Sequence, residues 1–177
     1  GLLASAKSLQ EDLRKLAASA DTKSSEGLQS VLQETTLSLL RQPELWVYSN
    51  LETGDVPFAR AESTFNRLSM IERSKLKSEL TSNYGGEIRP ESTLSNKSGE
   101  AGETSEYIAI TLLIASRKRE NLKDTNDSEN LRESLRILGS TSSHDLMALE
   151  VIWQPEGQGD VLNAEELVTA YPNLKRL

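Results

Sequence analysis

The run YIAITLLIAS at residues 107 to 116 is the most restrictive text in this chain of 177 residues. It is about half as long as the ~20 residues a helix needs to cross a bilayer, so it does not span a membrane. It is apolar on both alternating faces and rich in β-branched residues. That pattern predicts a strand covered on both sides, the centre of a sheet. LMALEVIWQP, from residue 146, reads as a second buried strand. Between the two, Leu131, Leu135 and Leu138 give a helix, with Gly139 where a helix reverses. Strand, helix and strand in series favour a right-handed parallel crossover if both strands share one sheet. LWVYSNL at 45 to 51, bounded by Pro43 and Gly54, is aromatic and β-branched and supplies a third strand.

Helices account for much of the rest. Leu2, Leu3, Ala6, Leu9, Leu13, Leu16, Ala17 and Ala20 recur every three or four residues, which predicts a helix from the first residues. DTKSSEG interrupts it, and Leu28, Val31, Leu32, Thr35, Leu39 and Leu40 restart the period. Ser24 or Ser25 stands as N-cap, and Pro43 lies beyond the end. A short loop between such helices makes an antiparallel hairpin. Pro57 suits a first helical turn, and Phe58, Ala61, Phe65 and Leu68 form the next apolar stripe. Ser69 and Glu72 have the spacing of a capping box, which predicts a bend there before Leu76 and Leu80.

The fold expected is α+β in one domain over residues 1–177: an N-terminal helical hairpin, then a small mixed sheet of about three strands covered by helices. From 82 to 104 the text is dense in Ser, Gly, Glu, Asn and Thr, too poor in apolar surface to offset its ordering entropy. It reads as a mobile loop, with a binding or regulated loop as the alternative.

The last helix is signalled more fully. Asn163 and Glu166 have the spacing of an N-cap and its reciprocal partner, and Leu162 and Leu167 that of a hydrophobic staple. Leu167, Ala170 and Tyr171 then face inward, and Pro172 ends the helix. Capping and burial explain this ending without catalysis.

A net charge of −7 argues against nucleic acid as a partner, since Lys and Arg must displace the counterions of phosphate. The chain has no cysteine and one histidine, so no cofactor and no transition-metal site is expected. His144 lies between Ser143 and Asp145, but sequence neighbours do not converge as a triad, and no G-x-S-x-G elbow is present. DTNDSENLRESL opens like a calcium loop at Asp124 and Asn126, yet Glu129 replaces the turn glycine and Leu135 the bidentate glutamate. GQGD at 157 to 160 is a turn, and Glu165 and Glu166 complement a helix dipole. No catalytic residue is assigned. Asn96 and Asn126 head N-x-S triplets that carry no weight at chance spacing. Trp46 and Trp153 are core or rim aromatics.

Arg117, Lys118 and Arg119 form the one basic cluster, at the exit of the central strand. Solvation explains it, and contact with an anionic membrane surface or a partner is the sharper reading.

LQEDLRKLAASADTKSSEGLQSVLQETTLSLLRQPELWVY, AESTFNRLSMIERSKL, EYIAITLLIAS and the closing LMALEVIWQPEGQGDVLNAEELVTAYPNLKRL together resemble the soluble domain of the fluctuating-light acclimation family of cyanobacteria and plastids. The most specific pieces are Ser25-Glu26-Gly27-Leu28, Phe65-Asn66-Arg67-Leu68-Ser69, Glu106-Tyr107-Ile108, Val151-Ile152-Trp153-Gln154-Pro155 and Tyr171-Pro172. The resemblance implies a Gly-rich stretch and a membrane anchor upstream of this domain. It also implies an unidentified membrane-protein partner at a thylakoid or plastid membrane, and a role in matching light use and the transmembrane pH gradient to changing light. It brings no catalytic residues. A non-enzymatic interaction domain is therefore expected; a small-molecule-binding domain or enzyme with a pocket at the sheet edge is the alternative. Convergence of Arg67, Glu72 and Arg73 in a polar cleft would mark the alternative, and a shallow exposed apolar patch the first reading.

Overall fold

The computed structural model describes residues 1–3, 7–75, 106–157 and 160–177. The loop expected at 82 to 104, the turn series through Leu76 and Leu80, and the middle of the 157-to-160 turn lie outside the described residues.

The class is α+β. The elements run β1 (Leu2–Leu3), α1 (Lys7–Ser19), α2 (Ser25–Leu40), β2 (Tyr48–Ser49), α3 (Phe58–Ser74), β3 (Tyr107–Ser116), α4 (Ser128–Gly139), β4 (Leu146–Gln154), α5 (Ala164–Ala170) and β5 (Lys175–Arg176). One sheet has the order β1-β3-β4, and β2 pairs with β5 in a second. β3 is central, as its double-sided apolar pattern requires. Its even-numbered face, through Ile108, joins Leu9, Leu13, Leu39 and Leu135 from the helical layer of α1, α2 and α4, together with Trp46. Its odd-numbered face, through Tyr107 and Ala109, packs with Leu162, Leu167, Ala170 and Tyr171, and α3 lies over Thr111 on that side.

The sheet is antiparallel rather than mixed. β3 and β4 pair from Ala109↔Gln154 to Ala115↔Ala148, with a bulge at Ala115/Ser116. The parallel crossover fails because the segment from Arg117 to Asp127 makes the return journey itself. It leaves the Ser116 end and reaches the Tyr107 end, where the Ser49 hydroxyl donates to the Thr125 carbonyl. Alongside α4, Ser134 Oγ donates to the Lys123 carbonyl. α4 then climbs back, so β4 starts where β3 stopped, and the Arg117 N–H donates to the Asp145 carbonyl at 2.8 Å.

Four local expectations also change. Leu2 and Leu3 are a strand, opposite Ile108 and Tyr107, because the open edge of β3 offers a ladder that helical periodicity does not anticipate; Leu2 is buried all the same. The 45-to-51 segment adds only Tyr48 and Ser49 to a sheet, and its partners are Arg176 and Lys175. A 3-10 turn at Pro43–Leu45 first turns Trp46 inward, where its Nε1 donates to the Leu39 carbonyl. α3 runs unbroken through Ser69; the Glu72 carboxylate that would close a capping box accepts from the Thr111 hydroxyl instead. Gly139 is the last residue of α4 rather than a reversal, with Ser140 following in right-handed helical conformation.

The signals at helix starts hold. Ser24 caps α2, accepting from the Gly27 N–H at 3.0 Å. Asn163 and Glu166 form the reciprocal box on α5 at 2.9 and 2.8 Å, and Leu162 and Leu167 are both buried in one cluster. Val47 and Tyr48 tie together distant parts of the chain: both N–H groups donate to the Gly1 carbonyl, and the Val47 carbonyl accepts from the Leu177 N–H.

Candidate functional site

Among the described residues, two places combine chemistry with access. The first is a cleft of about 340 Å³ along β3 from Ala109 to Leu113, walled by α3 through Leu68 and Glu72 and by α4 through Leu131 and Leu138. α3 reaches over the sheet with its last turn. Glu72 accepts from Thr111 at 3.2 Å and pairs with Lys75 at 2.5 Å. The Lys75 ammonium also stands 4.6 Å from the centre of the Tyr171 ring, close enough for attraction to its π face. Tyr171 donates its hydroxyl to Gln154 Oε1, and Gln154 Nε2 reaches the Glu72 carbonyl at 3.5 Å. Burial pushes the Tyr171 phenol well above its usual range, and the Glu72 charge adds to the shift, with the Thr111 hydroxyl acting in the opposite direction. The Gly1 amine, donating to the Tyr48 carbonyl at 2.9 Å, also lines the cleft, and burial lowers its pKa to about 5.

These groups satisfy one another and hold no nucleophile against a base. Of the three residues expected to converge, only Glu72 reaches the cleft. Arg73 leaves it to pair with Glu150, and Arg67 is exposed. The cleft therefore has a polar rim on an apolar trough.

The second place is the exit of β3. Arg117, Lys118 and Arg119 are all exposed there. The Arg117 guanidinium lies 5.7 Å from the Phe58 ring centre, Arg119 pairs with Asp55 at 3.1 Å, and the Lys118 N–H donates to Ser116 Oγ. Val56 is 42% exposed and Phe58 71%, so two large apolar side chains stand in water beside the basic cluster. The sequence pattern put Phe58 on the apolar stripe of α3; as the first helical residue it is left exposed, and α3 buries no residue fully. The signal that could have found this patch is proximity, since Val56-Pro57-Phe58 and the basic cluster must meet if α3 runs antiparallel to β3.

The other candidates have structural places. His144 is exposed in a turn, and Asp145 accepts from Ser142 rather than from a histidine. Asp127 caps α4, accepting from the Asn130 N–H at 2.8 Å, so the segment from Asp124 is a capped helix start. Glu165 and Glu166 occupy the first turn of α5.

A family described as "Protein of unknown function (DUF1517)" matches residues 1–177. "Protein FLAP1 homolog A" of Synechocystis sp. is 41% identical over 180 residues, covering 99% of this chain and 54% of that protein. "FLUCTUATING-LIGHT-ACCLIMATION protein 1, chloroplastic" of Arabidopsis thaliana is 37% identical over 179 residues, covering 100% of this chain and 45% of that protein. The chain spans about half the length of these relatives, and the family resemblance read from its motifs is borne out by them. No solved structure matches.

Proposed function

The chain belongs to the DUF1517 family of proteins of unknown function, and from that premise we propose that it is a non-enzymatic interaction domain acting in acclimation to changing light. In this reading it works against a thylakoid or plastid-type membrane, to which a segment outside this chain attaches it, and takes part in control of the transmembrane pH gradient. The names of the two relatives support the light-acclimation setting. One structural observation carries the membrane contact: Arg117, Lys118 and Arg119 flank the exposed Val56 and Phe58. Basic side chains are drawn to an anionic lipid surface, each worth about 1 kcal/mol near it, while apolar side chains enter the boundary between headgroups and acyl chains. The rest of the chain is acidic, so the same surface repels the other faces and orients this one toward it.

The test is flotation of the chain with phosphatidylglycerol vesicles and with phosphatidylcholine vesicles. Binding is expected to the anionic vesicles alone and to fall with salt. Replacing Arg117, Lys118 and Arg119 together by Ser weakens it by roughly two orders of magnitude. In a cyanobacterium whose own relative is replaced by an anchored form of the chain, that variant is expected to lose growth under fluctuating light and keep it under constant light. Equal binding to both vesicles, or unaffected growth, overturns the reading.

A further inference from the structure

Among the described residues, β3 has no strand beside it on the β1 side beyond Ile108. Tyr107 exchanges both of its backbone hydrogen bonds with Leu162, at 2.7 and 2.8 Å, on the side away from β1. Backbone groups of successive strand residues turn to opposite edges. Those of Ile108 therefore meet Leu2, and those of Ile110 and Leu112 face the same way, into the cleft between α3 and α4.

We infer that this cleft takes an extended segment of a partner polypeptide, added to the sheet as a strand beside β3. An unpaired strand edge is matched by another backbone, whose N–H and C=O groups repeat at the same spacing. β1 already occupies this edge at Tyr107 and Ile108, so the line of the ladder is set and the added strand continues it. α3 and α4 both wall the cleft. A second copy would bring its own α3 and α4 against them, so strand addition from a slender partner fits where edge-to-edge pairing does not.

The walls also fix the partner's pattern. Side chains turned toward α4 meet Leu112, Leu131 and Leu138, which suits valine or leucine. Those turned toward α3 meet Thr111 and the Glu72 carboxylate, which suits a threonine or serine hydroxyl. From Ala109 to Leu113 the edge is roughly 14 Å long at about 3.4 Å per residue, enough for about five partner residues. This inference does not depend on the membrane contact, which uses the far end of β3.

Amide hydrogen exchange of the chain, followed by NMR, tests it. In the free chain Ile110 and Leu112 are expected to exchange at least a hundredfold faster than Ala109, Thr111 and Leu113. The probe is a fluorescein-labelled heptapeptide that alternates threonine with valine or leucine. Its binding is expected to slow the Ile110 and Leu112 amides by at least tenfold. N-methylation of one alternate set of its residues removes the N–H groups facing β3 and weakens binding at least tenfold, while methylation of the other set changes it by less than threefold. Strong protection of Ile110 and Leu112 in the free monomer overturns the inference. So do equal losses from the two methylated peptides, absence of binding at millimolar peptide, or protection that appears only as the chain dimerises.

Discussion

Gly139 approaches α2 so closely that a β-carbon built on it would come within 2.4 Å of Thr36 Oγ1. Glycine is there because α4 packs against α2 with one backbone touching the other's side chain. Gly139→Ala is expected to destabilise the chain by about 1–3 kcal/mol through overpacking. Thr36 is itself fully buried and bonds back to the Leu32 carbonyl, so Thr36→Ala makes room at small cost. In a double-mutant cycle of denaturant midpoints, Thr36→Ala is expected to relieve most of the Gly139→Ala defect. Additive losses would mean that the glycine serves something other than this contact.

The closing helix offers a graded pair. Asn163→Ala removes one half of the capping box and should cost about 1 kcal/mol. Leu167→Asp forces a charge into a site with no exposed surface and should cost more than about 3 kcal/mol. Both are measured by chemical unfolding, and the order is the test.

The two tryptophans should part company. Trp46 Nε1 donates to the Leu39 carbonyl at 3.2 Å, whereas Trp153 Nε1 is buried with no hydrogen-bond partner. Trp46→Phe loses a hydrogen bond and core packing, about 1 kcal/mol or more, although the Leu39 carbonyl keeps the Gln42 N–H. Trp153→Phe removes a donor that costs the fold its desolvation, so its melting temperature should stay close to that of the parent or rise.

In the 177-residue chain taken by itself, the Gly1 amine sets a pH dependence. Its folded pKa of about 5 lies below the ordinary value of 8.0 because burial disfavours the charged form. Between those values the unfolded chain binds the proton and the folded chain does not, so stability rises with pH across roughly pH 5 to 8, at no more than about 1.4 kcal/mol per pH unit. Acetylating the amine turns it into an amide that still donates to Tyr48 without a charge. The slope over that window should flatten in the acetylated chain, read from urea midpoints at pH 5.5 and 8. An unchanged slope would place its origin elsewhere.

Much of the fold can be read from local chemistry. The β3 run, the Ser24 and Asn163 caps and the Leu162–Leu167 staple are written in neighbouring residues, and each lies where its pattern puts it. Arrangements that depend on partners far along the chain are not. Leu2 keeps its buried side chain but changes from helix to strand because β3 happens to lie beside it. The direction of β4 depends on the path of residues 117–127, in which no periodic signal records that the chain doubles back. The candidate sites follow the same rule: the basic cluster was visible as text, while its pairing with Phe58, and the open backbone edge of Ile110 and Leu112, exist only once helix and strand are packed.

Val47 and Tyr48 are together hydrogen-bonded to residue 1 and residue 177. During synthesis on a ribosome, Leu2 and Trp46 can meet early, but Tyr48 and Ser49 wait for Lys175 and Arg176 to emerge, after more than a hundred further residues have been translated. That late pairing therefore closes a seam opened more than a hundred residues earlier, and a nascent chain stalled short of it would hold its helical layer while this corner stayed unfastened.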